Sequence, residues 1–124
     1  MRKILMSIKP QYADKILRKD KCFEYRKILC AQPINSIVIY ETAPKKKVVA
    51  EVKVLDVLVA SPEIIWEKTK YAAGMEKSEF DNYFKGTLEA VAYVLGDVID
   101  FAEPRDLSFY GVSRAPQSFQ YIDD

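Results

Sequence analysis

Six segments of this chain have patterns typical of β-strands, either a period of two or a run of apolar and β-branched residues, and helical spacing is confined to two regions. Strand patterns occupy residues 3–9, 22–29, 36–42, 48–59, 88–101 and 118–122, whereas helical patterns occupy residues 10–19 and 61–86. A doubly wound sheet would need helices between most of its strands, and this order lacks them. The sequence therefore predicts an α+β fold: a curled sheet or small β-barrel of five to six mostly antiparallel strands with two to three flanking helices. Its 124 residues suit one domain, so residues 1–124 are predicted to form a single unit.

Local signals mark where the helices begin and end. Pro10 directly follows the first strand and suits the first position of a helix. Ser61 is predicted to cap a second helix that begins at Pro62, and Gly74 is predicted to end it. A further helix is predicted to begin at Ser78.

The residues missing from the chain exclude several kinds of chemistry. There is no histidine, which excludes the Ser-His and Cys-His hydrolase mechanisms. The two cysteines, Cys22 and Cys30, are expected to be free thiols, and they are too few for a structural zinc site. We therefore expect no metal and no cofactor.

No stretch of the sequence has the features of a targeting or membrane segment. The basic start, Arg2-Lys3, is followed by only a short apolar run, and nothing later approaches the ~20 apolar residues of a membrane span. These features predict a cytoplasmic protein without a membrane partner.

Charge is distributed unevenly along the chain. Residues 1–47 hold 12 lysines and arginines against 4 acidic residues, whereas residues 48–124 hold 7 against 14, so a net charge of +1 conceals two oppositely charged halves. The basic half favours nucleic acid or a nucleotide-like ligand as partner. The alternative is that these charges only solvate the faces of helices and strands.

The candidate binding residues come from the basic half. Glu24 and Arg26 lie two apart on one predicted strand, so their side chains share a face. Arg26 could bind a phosphate or a base edge, and Glu24 an exocyclic amine or a ribose hydroxyl, although a structural ion pair is the alternative. Lys9 and Lys21 lie at strand ends, where a cleft would open, and could contact phosphates.

The third predicted strand adds two further candidates. Tyr40 and Thr42 share one of its faces. Tyr40 could stack on a base or pack in the core, and Thr42 could donate to a phosphate or cap the turn at Pro44. The run Lys45-Lys46-Lys47 either adds to the positive field beside the cleft or forms a plain solvated turn.

Several short motifs, in their order along the chain, resemble the ASCH domain family of the PUA-like β-barrel superfamily. The resemblance spans nearly the whole chain. It rests on Ser7-Ile8-Lys9-Pro10, Lys21 with Phe23-Glu24-Tyr25-Arg26-Lys27, Ile39-Tyr40-Glu41-Thr42-Ala43-Pro44, Trp66-Glu67-Lys68-Thr69, Tyr83-Phe84-Lys85-Gly86 and Ala115-Pro116-Gln117-Ser118-Phe119-Gln120-Tyr121.

The resemblance implies a small barrel with a cleft between barrel and helices, in which Glu24-Tyr25-Arg26 lies, and a role in RNA binding, often regulatory. A related branch hydrolyses the acetyl amide of a modified cytidine with a lysine, a threonine and a glutamate. Its lysine falls on Lys21, but its threonine falls on Glu24 of this chain. Lys21 and Glu24 are therefore catalytic candidates only if the protein is an enzyme.

Three functional hypotheses follow. The first is an RNA-binding module that uses a basic cleft formed by Lys9, Lys21, Glu24, Arg26, Tyr40 and Thr42. The second is a hydrolase that acts on a modified nucleoside such as an acetylated cytidine. The third is a protein-interaction or small-ligand sensor that uses the acidic half through Glu63, Glu67, Glu76, Glu79 and Asp81.

Overall fold

The computed structural model describes residues 2–123, and that part of the chain contains six strands and three α-helices. The strands are β1 (Arg2–Ile8), β2 (Phe23–Arg26), β3 (Ile34–Glu41), β4 (Lys47–Ala60), β5 (Ala90–Arg105) and β6 (Phe119–Ile122). The helices are α1 (Pro10–Leu17), α2 (Pro62–Thr69) and α3 (Lys77–Tyr83), with two 3₁₀ turns at Lys70–Ala72 and Leu107–Tyr110. The predicted α+β class is confirmed.

All six strands form one sheet in the order β2-β5-β4-β3-β1-β6. Among the strands of residues 2–123, only β1 and β3 pair in parallel, because the chain makes a crossover through α1 and β2 between them. The other pairs in this range are antiparallel. The long β4–β5 pair carries three register shifts, and irregularities of this kind increase twist and bend a sheet. The mostly antiparallel sheet is thus as predicted, and the irregularities of β4–β5 contribute to its curling.

The sheet differs from a barrel in that its backbone hydrogen bonds do not close. Among residues 2–123, β2 pairs only with β5 and β6 only with β1. The two ends are instead joined by a side chain: Arg26 on β2 donates to the Ser7 carbonyl on β1 and to the Ser118 hydroxyl just before β6. The expected barrel is therefore a curled sheet whose edges meet through a guanidinium group.

Helix α1 covers the main core. Pro10 lies in its first turn as predicted, and Ala13 and Ile16 are buried at helical spacing. These two side chains pack with apolar residues of β1, β3, β4 and β5, among them Ile4, Ile37 and Tyr93. The start of α1 is thereby held where β1 ends, so Lys9 lies at the junction of strand and helix.

Helices α2 and α3 pack on one face of β2. Ser61 caps α2 by accepting a hydrogen bond from the Ile64 amide, as the sequence predicts. A second apolar cluster joins these helices to β2 and β5 through Phe23, Tyr25, Ile65, Phe80, Phe84, Ala73, Ala90 and Ala92. Because Phe23 and Tyr25 face this cluster, the intervening Glu24 and the following Arg26 face the opposite side.

The remaining differences from the predicted elements are in their boundaries. Strand β2 ends at Arg26 rather than at residue 29, and β5 continues past Pro104 to Arg105. Helix α3 begins at Lys77, because Glu76 rather than Ser78 caps it in a reciprocal capping box with Glu79.

Candidate functional site: a cleft at the closing edges of the sheet

A cleft of about 590 Å³ opens where β1, α1, β2 and α3 approach one another. Its lining residues are Ser7, Ile8, Lys9, Gln11, Tyr12, Glu24, Tyr25, Arg26, Thr42, Met75, Glu79, Asn82, Tyr83 and Gln117. Four of the six binding residues proposed from the sequence are among them: Lys9, Glu24, Arg26 and Thr42. The other two, Lys21 and Tyr40, are not lining residues.

Arg26 and Glu24 form an ion pair in the floor of the cleft. The Nε and Nη2 atoms of Arg26 donate to Oε2 of Glu24 at 3.0 and 2.8 Å. Nη2 also donates to the Ser7 carbonyl at 3.0 Å, and Nη1 donates to the Ser118 hydroxyl at 3.2 Å. The guanidinium group, which has five N–H donors, therefore has only one left for a ligand. Its orientation is set by two sheet edges at once.

The second carboxylate oxygen of Glu24 is available. Within residues 2–123, Oε1 accepts no hydrogen bond, and no side-chain oxygen or nitrogen is both buried and unpaired. Oε1 is therefore in contact with the cleft although Glu24 as a residue is only 7% exposed. The structure thus fixes Glu24 through Oε2 and leaves Oε1 without a hydrogen-bond partner at the cleft.

Lys21 lies behind the wall of the cleft. It is 2% exposed, and its ammonium group donates to the Ala73 carbonyl at 2.8 Å. The same Nζ lies 4.6 Å from the ring centroid of Tyr25 and 5.4 Å from that of Tyr12. Burial lowers the pKa of Lys21 from 10.5 to about 8, against the opposing effect of the Glu24 carboxylate.

The aliphatic stem of Lys21 is packed against a backbone turn. Gly74 has a φ of +72°, and a Cβ there would lie 2.6 Å from Cβ and Cγ of Lys21. Only glycine tolerates both this conformation and this approach. The turn that carries the Ala73 carbonyl thus holds the lysine in its buried position.

One hydrogen bond crosses the mouth of the cleft from α1 to α3. The Tyr12 hydroxyl donates to Oε2 of Glu79 at 2.6 Å. Burial and this bond to a carboxylate raise the pKa of Tyr12 to about 12, and the same bond lowers the pKa of the exposed Glu79. The Tyr12 ring therefore lies 5.4 Å from the Lys21 amine while its hydroxyl is held in place by α3.

The remaining two predicted lining residues have polar groups without partners. Lys9 is exposed and forms no ion pair with any residue from 2 to 123. The Thr42 hydroxyl forms no hydrogen bond within the same range, so the cap predicted for the turn at Pro44 is not formed. Both groups remain available to a ligand in the cleft.

Lys21 is buried behind the wall of the cleft and therefore cannot contact a phosphate there as the sequence suggested. The structure corrects two further expectations. Tyr40 is 7% exposed and packs with Leu5, Val48 and Ile122, so it is a core residue and has no face for stacking. The charged groups that line the cleft, Lys9 and Arg26 against Glu24 and Glu79, balance one another, so the lining is mixed rather than basic.

Sequence reasoning missed several lining residues. Tyr12 was not among the candidate binding residues, and Glu79 was considered only as part of an acidic partner surface. The position of Tyr12 two residues after Pro10, close to Lys9, is a usable local signal. No local signal connects it to Glu79, which is 67 positions away.

Two further structural findings concern the part of the chain that is described. None of its helices is both long enough and apolar enough to cross a membrane. Nowhere between residues 2 and 123 do three cysteine, aspartate or glutamate side chains cluster so that they could hold a metal ion.

Comparison with solved structures identifies the fold. The chain matches the crystal structure of ASCH from Zymomonas mobilis with a TM-score of 0.89 and 23% identity, over 98% of this chain and 88% of that one. A tyrosine-to-phenylalanine variant of the same protein matches with a TM-score of 0.89 and 22% identity, over 99% of this chain and 91% of that one.

Comparison with curated proteins gives partial matches. An ASCH domain-containing ribonuclease of Zymomonas mobilis is 26% identical over 94 residues, which cover 75% of this chain and 64% of the relative. A large ribosomal subunit protein uL22 of Ureaplasma parvum is 34% identical over 93 residues, covering 73% of this chain and 30% of the relative. The chain thus spans about a third or less of the length of the first relatives it matches. No family model matches the chain.

Proposed function

The chain folds as an ASCH domain, and we propose that it binds RNA with one nucleotide seated in the cleft against Glu24. The relative that is an ASCH domain-containing ribonuclease supports a nucleic-acid partner. The single observation that carries the proposal is the rigid carboxylate of Glu24, whose Oε1 is open to a cleft of about 590 Å³. A cleft of that volume is in the range of nucleotide-sized ligand sites.

Glu24 contributes recognition in this proposal. A carboxylate oxygen accepts a hydrogen bond from an exocyclic base amine, as acidic side chains do with the amino group of cytosine, or from a ribose hydroxyl. Arg26 is a positioning residue, because four of its hydrogen bonds go to the protein and two of these fix Glu24. The amides of Asn82 and Gln117 also line the cleft and supply both donors and acceptors.

Lys9 and Thr42 contribute backbone contacts. The ammonium group of Lys9 and the hydroxyl of Thr42 lie on the rim, exposed or half-buried, and neither has a partner within residues 2–123. Contacts of this type supply affinity and orientation and carry little sequence information. The balanced charge of the lining means that a bound phosphate depends strongly on Lys9.

The test compares two exposed lysines. Fluorescence anisotropy with a labelled single-stranded RNA measures the Kd of the unsubstituted protein, Lys9→Ala and Lys68→Ala across a range of salt concentrations. Lys68 is exposed on α2 and does not line the cleft, so it is the matched control. We expect Lys9→Ala to weaken binding at every salt concentration and to reduce the slope of log K against log salt by about 1. The absence of binding at low salt, or equal behaviour of the two variants, would reject the proposal.

Recognition by Glu24 has a separate readout. Glu24→Gln keeps the shape of the side chain but removes the charge that strengthens a hydrogen bond to a base amine. We expect this variant to lose discrimination among homopolymeric RNAs more than it loses overall affinity. A uniform loss for all four homopolymers would assign Glu24 to the fold rather than to recognition.

A hydrolase that acts on RNA or on a modified nucleoside such as an acetylated cytidine is the second candidate. Two observations favour it: the ASCH domain-containing ribonuclease relative, and the buried Lys21, whose pKa is lowered to about 8. Because the Tyr12 and Tyr25 rings lie over this amine, it would reach a substrate only after Tyr12 moves. Chromatography and mass spectrometry of labelled RNA and of acetylated cytidine after incubation detect turnover. If the unsubstituted protein forms product and Lys21→Met does not, the hydrolase is supported. If the unsubstituted protein forms no product, RNA binding remains the proposed function.

A further inference from the structure

We propose that a second surface, formed by Phe109, Arg105, Lys45 and Lys46, binds the part of a single-stranded RNA that extends beyond the cleft. This surface is called the Phe109 platform below. This proposal rests on the proposed RNA binding. It specifies the direction in which the RNA strand leaves the cleft and the residues that the strand then contacts.

Phe109 and Arg105 form a stack on the protein surface. The guanidinium carbon of Arg105 lies 3.9 Å from the ring centroid of Phe101 and 4.5 Å from that of Phe109, so the arginine lies between two rings. Its Nη1 donates to the Tyr110 hydroxyl at 3.0 Å. An arginine held in this way keeps its plane fixed against both rings.

Phe109 is exposed although its neighbours are packed. It is 66% exposed, whereas Val112 nearby is buried with Leu5 and Val48, and Leu107 and Tyr110 pack against the same cluster. The 3₁₀ turn Leu107–Tyr110 is therefore anchored, and the exposed ring is carried on a fixed support. A large apolar ring in this position contributes little to the core, and its uncovered face is suited to stacking on a base.

The platform adjoins the cleft through a basic turn. Residues 43–46 connect Thr42, which lines the cleft, to Lys47, which is paired with Asp106 next to Arg105. Lys45 and Lys46 within this turn are exposed and have no ion-pair partner in the described part of the chain. Val48 is paired with Arg105 in the β4–β5 ladder, which places the turn and the aromatic stack side by side.

The chemistry of the platform favours RNA over a protein partner. An exposed aromatic ring beside unpaired lysines matches the combination of base stacking and phosphate attraction found in single-strand binding sites. A protein-docking surface centred on Phe109 would have an uncharged centre, whereas this ring stacks on the Arg105 guanidinium and adjoins the exposed Lys45 and Lys46.

RNAs of two lengths distinguish binding at the Phe109 platform from binding in the cleft. A trinucleotide occupies the cleft alone, whereas a strand of about twelve nucleotides reaches both surfaces, within the range of known single-strand sites. Anisotropy measures the Kd of both RNAs for Phe109→Ala, Phe109→Tyr and the double variant Lys45→Ala/Lys46→Ala. The matched controls are Tyr71→Ala, which removes an aromatic ring that is 79% exposed on the 3₁₀ turn after α2, and Lys68→Ala/Lys85→Ala.

We expect Phe109→Ala to weaken binding of the longer RNA about tenfold and to leave the trinucleotide unchanged. Phe109→Tyr keeps the ring and should retain affinity, while the Lys45/Lys46 double variant should bind the longer RNA less well and with a smaller salt slope. Unchanged binding of the longer RNA to Phe109→Ala, or an equal loss in Tyr71→Ala, would overturn the platform and leave the cleft proposal intact. Failure of both RNAs to bind the unsubstituted protein would overturn both.

Discussion

Nε and Nη2 of Arg26 both donate to the same carboxylate oxygen of Glu24, at 3.0 and 2.8 Å, and leave the other oxygen to the cleft. The same guanidinium group reaches the Ser7 carbonyl and the Ser118 hydroxyl. One side chain therefore joins the edges of the curled sheet and orients the acceptor for a ligand. In this fold the geometry of the cleft and the closure of the sheet depend on the same contacts.

The first prediction concerns this pair. Arg26→Ala leaves the Glu24 side chain, which is 9% exposed, without its cation, and we expect a loss of about 3 kcal/mol in the free energy of unfolding. The double variant Arg26→Ala/Glu24→Gln removes the unpaired charge and should recover part of that loss. Urea denaturation measures both. If the single and double variants are equally unstable, the unpaired charge of Glu24 is not the source of the loss, and the loss comes from the missing Arg26 hydrogen bonds to Ser7 and Ser118.

The second prediction concerns pH. The folded state lowers the pKa of Lys21 from 10.5 to about 8, so between these values the unfolded chain binds the proton more tightly. The free energy of unfolding attributable to Lys21 therefore rises with pH above about 8, by at most about 1.4 kcal/mol per pH unit.

Lys21→Met carries no titrating amine and lacks this slope. Urea denaturation of both proteins between about pH 7.5 and 9.5 should show the unsubstituted protein gaining stability relative to the variant as pH rises. The range stops below pH 10, where Tyr12 and Tyr25 begin to titrate in the unfolded chain. Folding raises the pKa of both tyrosines to about 12, so their titration makes the free energy of unfolding fall as pH rises. A difference that does not vary with pH would contradict the buried position of the ammonium group.

The third prediction separates backbone strain from close packing at two glycines. Gly86 has a φ of +78°, and no atom lies within 4 Å of the position that a Cβ would take. Gly86→Ala should therefore lower the free energy of unfolding by about 1 kcal/mol, the cost of placing alanine in the left-handed conformation. Gly74 has a similar φ, but its Cβ would overlap the Lys21 stem. Gly74→Ala should therefore cost clearly more in thermal denaturation. Equal costs would show that the Lys21 stem does not rest on this turn.

The fourth prediction concerns the cover over Lys21. Tyr12→Phe removes the hydrogen bond to Glu79 but keeps the ring, and we expect a loss of about 1 kcal/mol or less. Tyr12→Ala removes the ring that lies 5.4 Å from the Lys21 amine and should open it to solvent. Reductive methylation followed by mass spectrometry measures the labelling of Lys21, which should rise in Tyr12→Ala and stay low in Tyr12→Phe. Rapid labelling of the unsubstituted protein would contradict the buried site.

Much of the fold was predictable from local patterns. The period of two placed Glu24 and Arg26 on one face of a strand, and the structure has them there. Pro10 and Ser61 marked the starts of α1 and α2 correctly. The lengths of β2 and β5 were less accessible, because the end of a strand depends on whether a neighbouring strand is present to pair with it.

The sequence by itself determined which residues share a face and where helices begin, because these depend on backbone geometry over a few neighbouring positions. Only the tertiary structure decided that Tyr40 lies in the core, that Lys21 is buried, and that Tyr12 meets Glu79. The contacts that shape the cleft join residues far apart in sequence, 92 positions in the case of Arg26 and Ser118. Their formation depends on how far the sheet curls, which is set by the summed register shifts and packing of all its strands and is not recorded in any one segment.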